Sequence, residues 1–204
     1  MATKTFSIDQ VIKTGWAKLK ERFWFILGMI ALVWIVDLAL SYIIQFAGRQ
    51  RIAEVIISLI GYFLTVLMSI GFLKITLKIN DGKDVSYADL FVHYRFFIRY
   101  LLAIIFKTII VSAGLILLIF PGIYLALRYR FVEFLIVDKD MGIIEAFKES
   151  AKLTEGKKWS ILGFEFCSFA IIFLGLIALL VGLLAAAPTV ALARANLYRT
   201  ISSK

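Results

Sequence analysis

Ser7–Glu21, SIDQVIKTGWAKLKE, runs through one arginine, Arg22, into Phe23–Phe46, FWFILGMIALVWIVDLALSYIIQF. The first stretch is amphipathic. Ser7 is placed to cap a helix, and Ile8, Val11, Ile12, Trp16 and Leu19 recur at three- and four-residue spacing. Asp9, Gln10, Lys13, Thr14, Lys18 and Lys20 fill the other side. The second stretch is 24 residues long and apolar, enough to cross a ~30 Å hydrocarbon core. Together they read as an interfacial helix, lysines outward in the headgroup plane, feeding a membrane span. A water-exposed helix packed on a partner has the same pattern, since periodicity alone does not separate the two.

The same junction recurs twice. Ser86–Tyr94 precedes about Phe97–Phe120, and Asp140–Glu155 precedes Trp159–Ala178. Composition agrees with a membrane protein: 62% of the 204 residues are hydrophobic, and the mean hydropathy is +0.93, whereas soluble domains are about 45–50% apolar. Met1–Arg22 is mostly polar and the first apolar run outlasts a signal-peptide core of about 7–15 residues, so Phe23–Phe46 reads as a retained anchor.

Between these landmarks the chain is punctuated by turns. Ala47-Gly48-Arg49-Gln50-Arg51 is a short turn before a second span, about Ile52 to Ile79. Asn80-Asp81-Gly82-Lys83 breaks that span, and Ser86-Tyr87-Ala88-Asp89 reads as a capping box. Tyr87, Leu90, Phe91 and Tyr94 form the apolar stripe of a second interfacial helix. The third span ends at Phe120-Pro121-Gly122, where Pro121 disfavours helix at Phe120 and Gly122 permits a reversal. A short fourth span, Ile123–Val137, stops at Asp138-Lys139-Asp140. In the third amphipathic helix Ile144, Phe147 and Ala151 face one way, and Glu145, Lys148, Glu149 and Lys152 the other. Trp159–Tyr198 as one helix would be about 60 Å long, twice the bilayer core. It therefore reads as a hairpin with its apex near Ala178–Gly182 and with Pro188 inside the sixth helix.

The expected fold is an all-α membrane protein, a single domain over 1–204. Six transmembrane helices form three hairpins, each preceded by a cytoplasmic interfacial amphipathic helix. The units run about 7–80, 86–138 and 140–200. Setting Trp24 on Trp159 aligns Ile26-Leu27-Gly28 with Ile161-Leu162-Gly163; removing one residue sets Ala17-Lys18-Leu19 on Ala151-Lys152-Leu153. A pseudo-threefold repeat along the membrane normal accounts for this, and so does generic topology.

The net charge of +9 is distributed unevenly. Lys4, Lys13, Lys18, Lys20 and Arg22 precede the first span. Lys74, Lys78, Lys83, Arg95 and Arg99 join spans two and three. Lys139, Lys148, Lys152, Lys157 and Lys158 join spans four and five, and Arg194, Arg199 and Lys204 close the chain. Only Arg49 and Arg51 fall on the opposite side, eighteen against two. The positive-inside rule therefore places both termini and all three amphipathic stretches in the cytoplasm, with the protein in the inner (cytoplasmic) membrane. The basic charge is accounted for by membrane anchoring and anionic headgroups, without nucleic acid.

Seven charged residues fall within the expected spans: Asp37, Lys107, Arg128, Arg130, Glu133, Glu165 and Arg194. Each costs about 2.5–3.5 kcal/mol at mid-depth, so partners are expected. At 1.5 Å per residue, Glu133, Glu165 and Arg194 lie roughly 7–9 Å deep, Arg130 about 12 Å, Lys107 and Arg128 about 15 Å and Asp37 about 21 Å. Arg130 and Glu133 are three apart and suited to pair, and Glu165 matches Arg194 across the last hairpin. Arg128 projects away from Arg130. It and Lys107 are the better placed to meet an anion or lipid phosphate, or Asp37 if the helix tilts. Structural ion pairs and a transport or binding site both fit this set.

Catalytic signatures are missing. His93, the single histidine, has no Cys or carboxylate cluster at metal spacing, and Cys167 lies in an apolar run. There is no phosphate-binding glycine loop, nucleophile elbow or metalloprotease motif. Neither an enzyme, a metal nor a cofactor is expected.

Pro121-Gly122-Ile123-Tyr124-Leu125-Ala126-Leu127-Arg128, Phe134-Leu135-Ile136-Val137-Asp138, Glu145-Ala146-Phe147-Lys148-Glu149-Ser150 and Leu153-Thr154-Glu155-Gly156 carry a resemblance. So do Phe6-Ser7-Ile8 with Trp16 and Phe23-Trp24, and Val181-Gly182-Leu183-Leu184 through Pro188 to Tyr198-Arg199. The chain resembles the membrane domain of some bacterial glycerophosphodiester phosphodiesterases and related stand-alone membrane proteins of unknown function. The resemblance implies a six-helix bacterial or archaeal membrane domain beside a lipid-related partner. In the fused proteins the activity belongs to a soluble barrel that these residues do not contain. The expected function is a non-enzymatic scaffold or lipid-interacting membrane domain. The rivals are a small transporter or channel lined by Lys107 and Arg128, and a membrane subunit of a larger complex.

Overall fold

A computed structural model describes residues 6–47, 51–178 and 181–202. The turn around Arg49, the Leu179-Leu180 tip of the last hairpin, Lys4 and Lys204 lie outside them. The helices are α1 (Ile8–Glu21), α2 (Phe23–Ala47), α3 (Arg51–Asn80), α4 (Phe97–Leu117), α5 (Ile119–Arg128), α6 (Val132–Lys139), α7 (Ile143–Thr154), α8 (Lys158–Ile177) and α9 (Val181–Ser202). No strand occurs among the described residues. Among the described residues, four stretches are long and apolar enough to cross a membrane: Phe23–Gln45, Arg51–Asn80, Tyr87–Leu117 and Lys158–Ile177.

Ser7 Oγ accepts a hydrogen bond from Gln10 N at 3.5 Å and starts α1. Part of its stripe packs inside the protein. Val11, Gly15 and Leu19 are buried, and a Cβ at Gly15 would stand 2.7 Å from Thr189 O and 2.9 Å from Ala193 Cβ of α9. Lipid tails are as apolar as leucine, so close backbone approach, rather than apolar burial, holds such helices together. Trp16 remains 45% exposed.

The second amphipathic stretch corrects the expected helix. Tyr87–Leu90 and Tyr94–Phe96 are short 3-10 turns. The capping box does form: Ser86 Oγ accepts from Ala88 N at 3.4 Å and Asp89 Oδ2 accepts from Ser86 N at 3.0 Å. What the spacing hides is docking. Leu90 is fully buried, with its backbone so near Gly71 of α3 that a Cβ there would stand 2.3 Å from Leu90 Cα. Tyr87 stacks on Phe25 at 4.6 Å, and Lys78 Nζ donates to Asp89 Oδ1 at 2.8 Å.

The turn after the third span is also placed differently. Leu118 is extended (φ −162°, ψ 144°) and separates α4 from α5, while Pro121 and Gly122 lie inside α5. Proline is tolerated in a first helical turn, whose N–H groups have no intrahelical partner. Gly122 serves close approach, since a Cβ there would meet Leu115 Cα at 2.7 Å.

The expected fourth helix is broken. Tyr129–Phe131 is a turn between α5 and α6. Among its buried residues α6 counts Val132, Phe134, Leu135, Ile136 and Val137, so it is enclosed on every side. Phe134 stacks on Tyr198 of α9 at 5.1 Å. Trp159–Tyr198 divides into α8 and α9, and α9 continues through Pro188. Gly175 lies against Gly182 and Ala186, and Glu165 against Arg194, so the two helices run antiparallel.

Candidate functional site

Charges that the depth estimate sets apart are brought together by the fold. Lys107 Nζ of α4 donates to Glu133 Oε1 of α6. This corrects two expectations: Lys107 is not left for an anion, and Glu133 does not pair with Arg130. The cause is the break at 129–131, which removes the helical three-residue spacing. Arg130 instead reaches Glu165 of α8, Nη2 to Oε1 at 2.7 Å. Arg194 of α9 donates to Glu165 Oε2 at 2.9 Å, the partner its depth suggests. One carboxylate thus joins two guanidiniums from different elements, and all three side chains are largely withdrawn from the surface.

Asp37 stands apart. It is exposed on α2 and lines a cleft of about 380 Å³ with Thr65 and Ser69 of α3 and Tyr100 of α4. Arg128 and Lys107 are not among its lining residues. Arg128 has no carboxylate partner among the described residues; its guanidinium lies 5.9 Å from the Tyr129 ring centre.

Arg128 ends α5, and the break behind it frees backbone groups that lipid cannot satisfy. Helix α7 satisfies them. Ser150 Oγ donates to Arg128 O at 3.0 Å and accepts from Phe131 N at 3.2 Å, and Thr154 Oγ1 reaches Arg128 O at 3.2 Å. Those hydroxyls set the rotation of α7. The buried stripe is Ala146, Ser150 and Thr154, a line that runs beside the expected apolar side of Ile144, Phe147 and Ala151. Polarity counting misses it because Ser and Thr read as outward residues; their four-residue spacing under Ala146 was the available signal.

With that face inward, Ile144, Phe147 and Ala151 turn to a groove of about 930 Å³ between α4, the break and α7. Phe106 and Ile110 form its α4 wall, and Arg99, Arg128 and Lys148 are its cations. Arg99 is engaged by Asp140, Nη1 to Oδ1 at 2.7 Å. Asp140 caps α6 in the left-handed region (φ 55°), which Asp tolerates better than most residues. An adjoining cavity of about 300 Å³ shares Arg128, Lys148 and Ala151 and adds Tyr124, Lys152, Glu155 and Lys158. Lys158 Nζ donates to Tyr124 OH at 2.6 Å.

A further cluster escaped the sequence reading. Arg199 joins the ends of three helices: Nη2 to Asp81 Oδ2 at 2.7 Å and Nη1 to Asp138 Oδ2 at 2.6 Å. Tyr198 OH donates to Asp138 Oδ2 at 3.0 Å. In sequence Asp81 and Asp138 read only as breakers and Arg199 only as an anchor. Nothing local links positions so far apart. Among the described residues no three His, Cys, Asp or Glu side chains converge as a metal site.

A family model described as "Protein of unknown function (DUF975)" matches residues 102–204, from α4 to the end of the chain. A curated relative, a UPF0259 membrane protein of Pectobacterium carotovorum subsp. carotovorum (strain PC1), is 30% identical over 92 residues. The match covers 45% of this chain and 37% of the relative, so it spans little more than a third of that protein's length. No solved structure matches. The matched family region contains the groove cations Arg128 and Lys148 and six of the seven intramembrane charges; Asp37 lies before it.

Proposed function

This chain belongs to the DUF975 family of membrane proteins of unknown function, and from that premise we propose that it is a non-enzymatic, lipid-interacting membrane scaffold. The observation that carries the reading is the closure of the intramembrane charges. Five of the seven are tied into two groups, Lys107–Glu133 and Arg130–Glu165–Arg194. Charges consumed in this way fix helix register and leave few free to conduct a solute. The resemblance to phosphodiesterase membrane domains supports a lipid-related setting.

The layout we propose is six spans in three hairpins, with both termini cytoplasmic. Antiparallel contacts along α4 support the fourth crossing: Gly114 against Gly122, Lys107 against Glu133 and Arg99 against Asp140. The broken α5–α6 therefore returns along the whole of α4. Pairing of α8 with α9 supports the sixth crossing. The three units differ in their lead-ins, two α-helices and one pair of 3-10 turns, so the pseudo-threefold relation we propose is confined to the hairpins. The basic face would engage anionic headgroups at about 1 kcal/mol per well-placed Lys or Arg.

Reconstitution into liposomes tests this. The purified protein is expected to carry no flux across a broad solute panel and to favour anionic over zwitterionic vesicles, more strongly at low salt. Solute flux that Arg128→Leu abolishes while folding is intact would establish the transporter instead.

A further inference from the structure

We propose that the groove between α4, the α5–α6 break and α7 binds one anionic phospholipid, its phosphate between Arg128 and Lys148 and an acyl chain along Phe106, Ile110, Ile144 and Phe147. The proposal rests on the lipid-interacting reading above and gives it one site and one ligand class.

Three observations converge. First, the groove combines an apolar wall with the cations Arg99, Arg128 and Lys148, the two kinds of surface a phospholipid needs. Its volume, about 930 Å³, lies toward the upper part of the range of ligand pockets, about 300–1,000 Å³. Second, the charge is complementary to a phosphate. The groove and its neighbour hold Arg99, Arg128, Lys148, Lys152 and Lys158 against the carboxylates Glu145 and Glu155. Arg99 is committed to Asp140, and Lys158 donates to the Tyr124 hydroxyl, which Arg128 also approaches. Arg128 and Lys148 line both cavities, and neither has a carboxylate partner among the described residues. A guanidinium fork held by its own backbone suits a phosphate diester, because its donors match two oxygens at once. Third, the apolar wall is uncovered on the protein side: Ile144 is 73% exposed and Phe106 48%. A soluble phosphate would satisfy Arg128 and leave this wall to bulk acyl chains. A neutral lipid would cover the wall and leave the cation unmatched. An anionic phospholipid does both.

The backbone explains why the site can exist. Arg128 O is already held by Ser150 and Thr154. The side chain therefore projects from a fixed anchor rather than from a fraying helix end.

Native mass spectrometry of the full chain in detergent, titrated with phosphatidylglycerol or phosphatidylcholine, reads the site directly. One phosphatidylglycerol is expected to be retained in preference to phosphatidylcholine. Lys148→Ala and Arg128→Ala should each weaken it about fivefold, and the double variant about thirtyfold. Lys148 is exposed, so its variant reports even if Arg128→Ala disturbs folding. Ile144→Glu should remove the adduct by placing a like charge in the acyl path, whereas Lys20→Ala, on α1 and not among the groove's lining residues, should leave it unchanged. If wild type prefers phosphatidylglycerol and the groove variants keep that preference, the groove assignment is overturned while the lipid-interacting reading stands. If wild type shows no preference, both fail. If millimolar inorganic phosphate displaces the lipid or binds alone with the same dependence on Arg128, the ligand is a soluble anion and the lipid assignment is wrong.

Discussion

Glu165 is the residue on which two guanidiniums depend, and the cost of removing it is asymmetric. Glu165→Gln leaves Arg130 and Arg194 facing each other in a largely desolvated setting, so unfolding in detergent is expected to shift by about 3 kcal/mol. Arg130→Met leaves the Glu165–Arg194 pair closed and should cost less. Equal losses in thermal unfolding would show that the three do not act as a unit. Ser150 offers a second case. It is fully buried and serves both an orphan carbonyl and an orphan N–H at the α5–α6 break. Ser150→Ala removes both bonds and little more than the hydroxyl oxygen, for an expected loss of about 1–3 kcal/mol. Hydrogen exchange at the Phe131 amide should rise with it.

At the scale of elements, close approach governs the packing. The 3-10 segment is seated on α3 through Gly71, whose missing Cβ admits the Leu90 backbone. Gly71→Val leaves no room, and backbone cannot move as a flexible side chain would. The expected loss is about 1–3 kcal/mol, with cleavage of the Tyr87–Phe96 segment by added protease rising well above wild type. Unchanged protection would mean that the segment is held elsewhere, by Lys78–Asp89 and the Tyr87–Phe25 stack. Element identity was legible where the apolar period was long: α2, α3, α4, α8 and α9 follow the expected runs closely. It was illegible where tertiary contacts outweigh propensity. The Tyr87–Tyr94 stripe has helical spacing, yet docking of Leu90 on Gly71 holds it in 3-10 turns. The fourth span reads as one apolar run interrupted only by Arg128, Arg130 and Glu133, yet α7 supplies the hydroxyls that let it break.

For the whole molecule, Arg199 ties the ends of α3, α6 and α9 to one face, and Arg95 and Arg99 tie the start of α4 to Asp140 on the same side. The proposed topology makes this the cytoplasmic face. In a Cys167→Ser background, Lys20→Cys, Lys83→Cys and Lys152→Cys should be labelled by an impermeant maleimide only after cells are opened, and Arg51→Cys in intact cells. Labelling of Lys152→Cys from outside would overturn the six-span count.

Class, the positions of the four long apolar helices and charge asymmetry are legible in the sequence alone, because length, apolarity and basic flanks act locally against the bilayer. The seven intramembrane charges were visible as a set for the same reason: desolvation marks each one individually. Their pairing was decided by tertiary structure. Lys107 meets Glu133 and Arg130 meets Glu165 because a broken helix carries Glu133 and Arg130 to different neighbours, and no local spacing encodes a break that another helix repairs. The same repair turns Ser150 inward and opens the face of α7 beside Arg128, so the groove proposed to hold a lipid is a property of the assembled bundle.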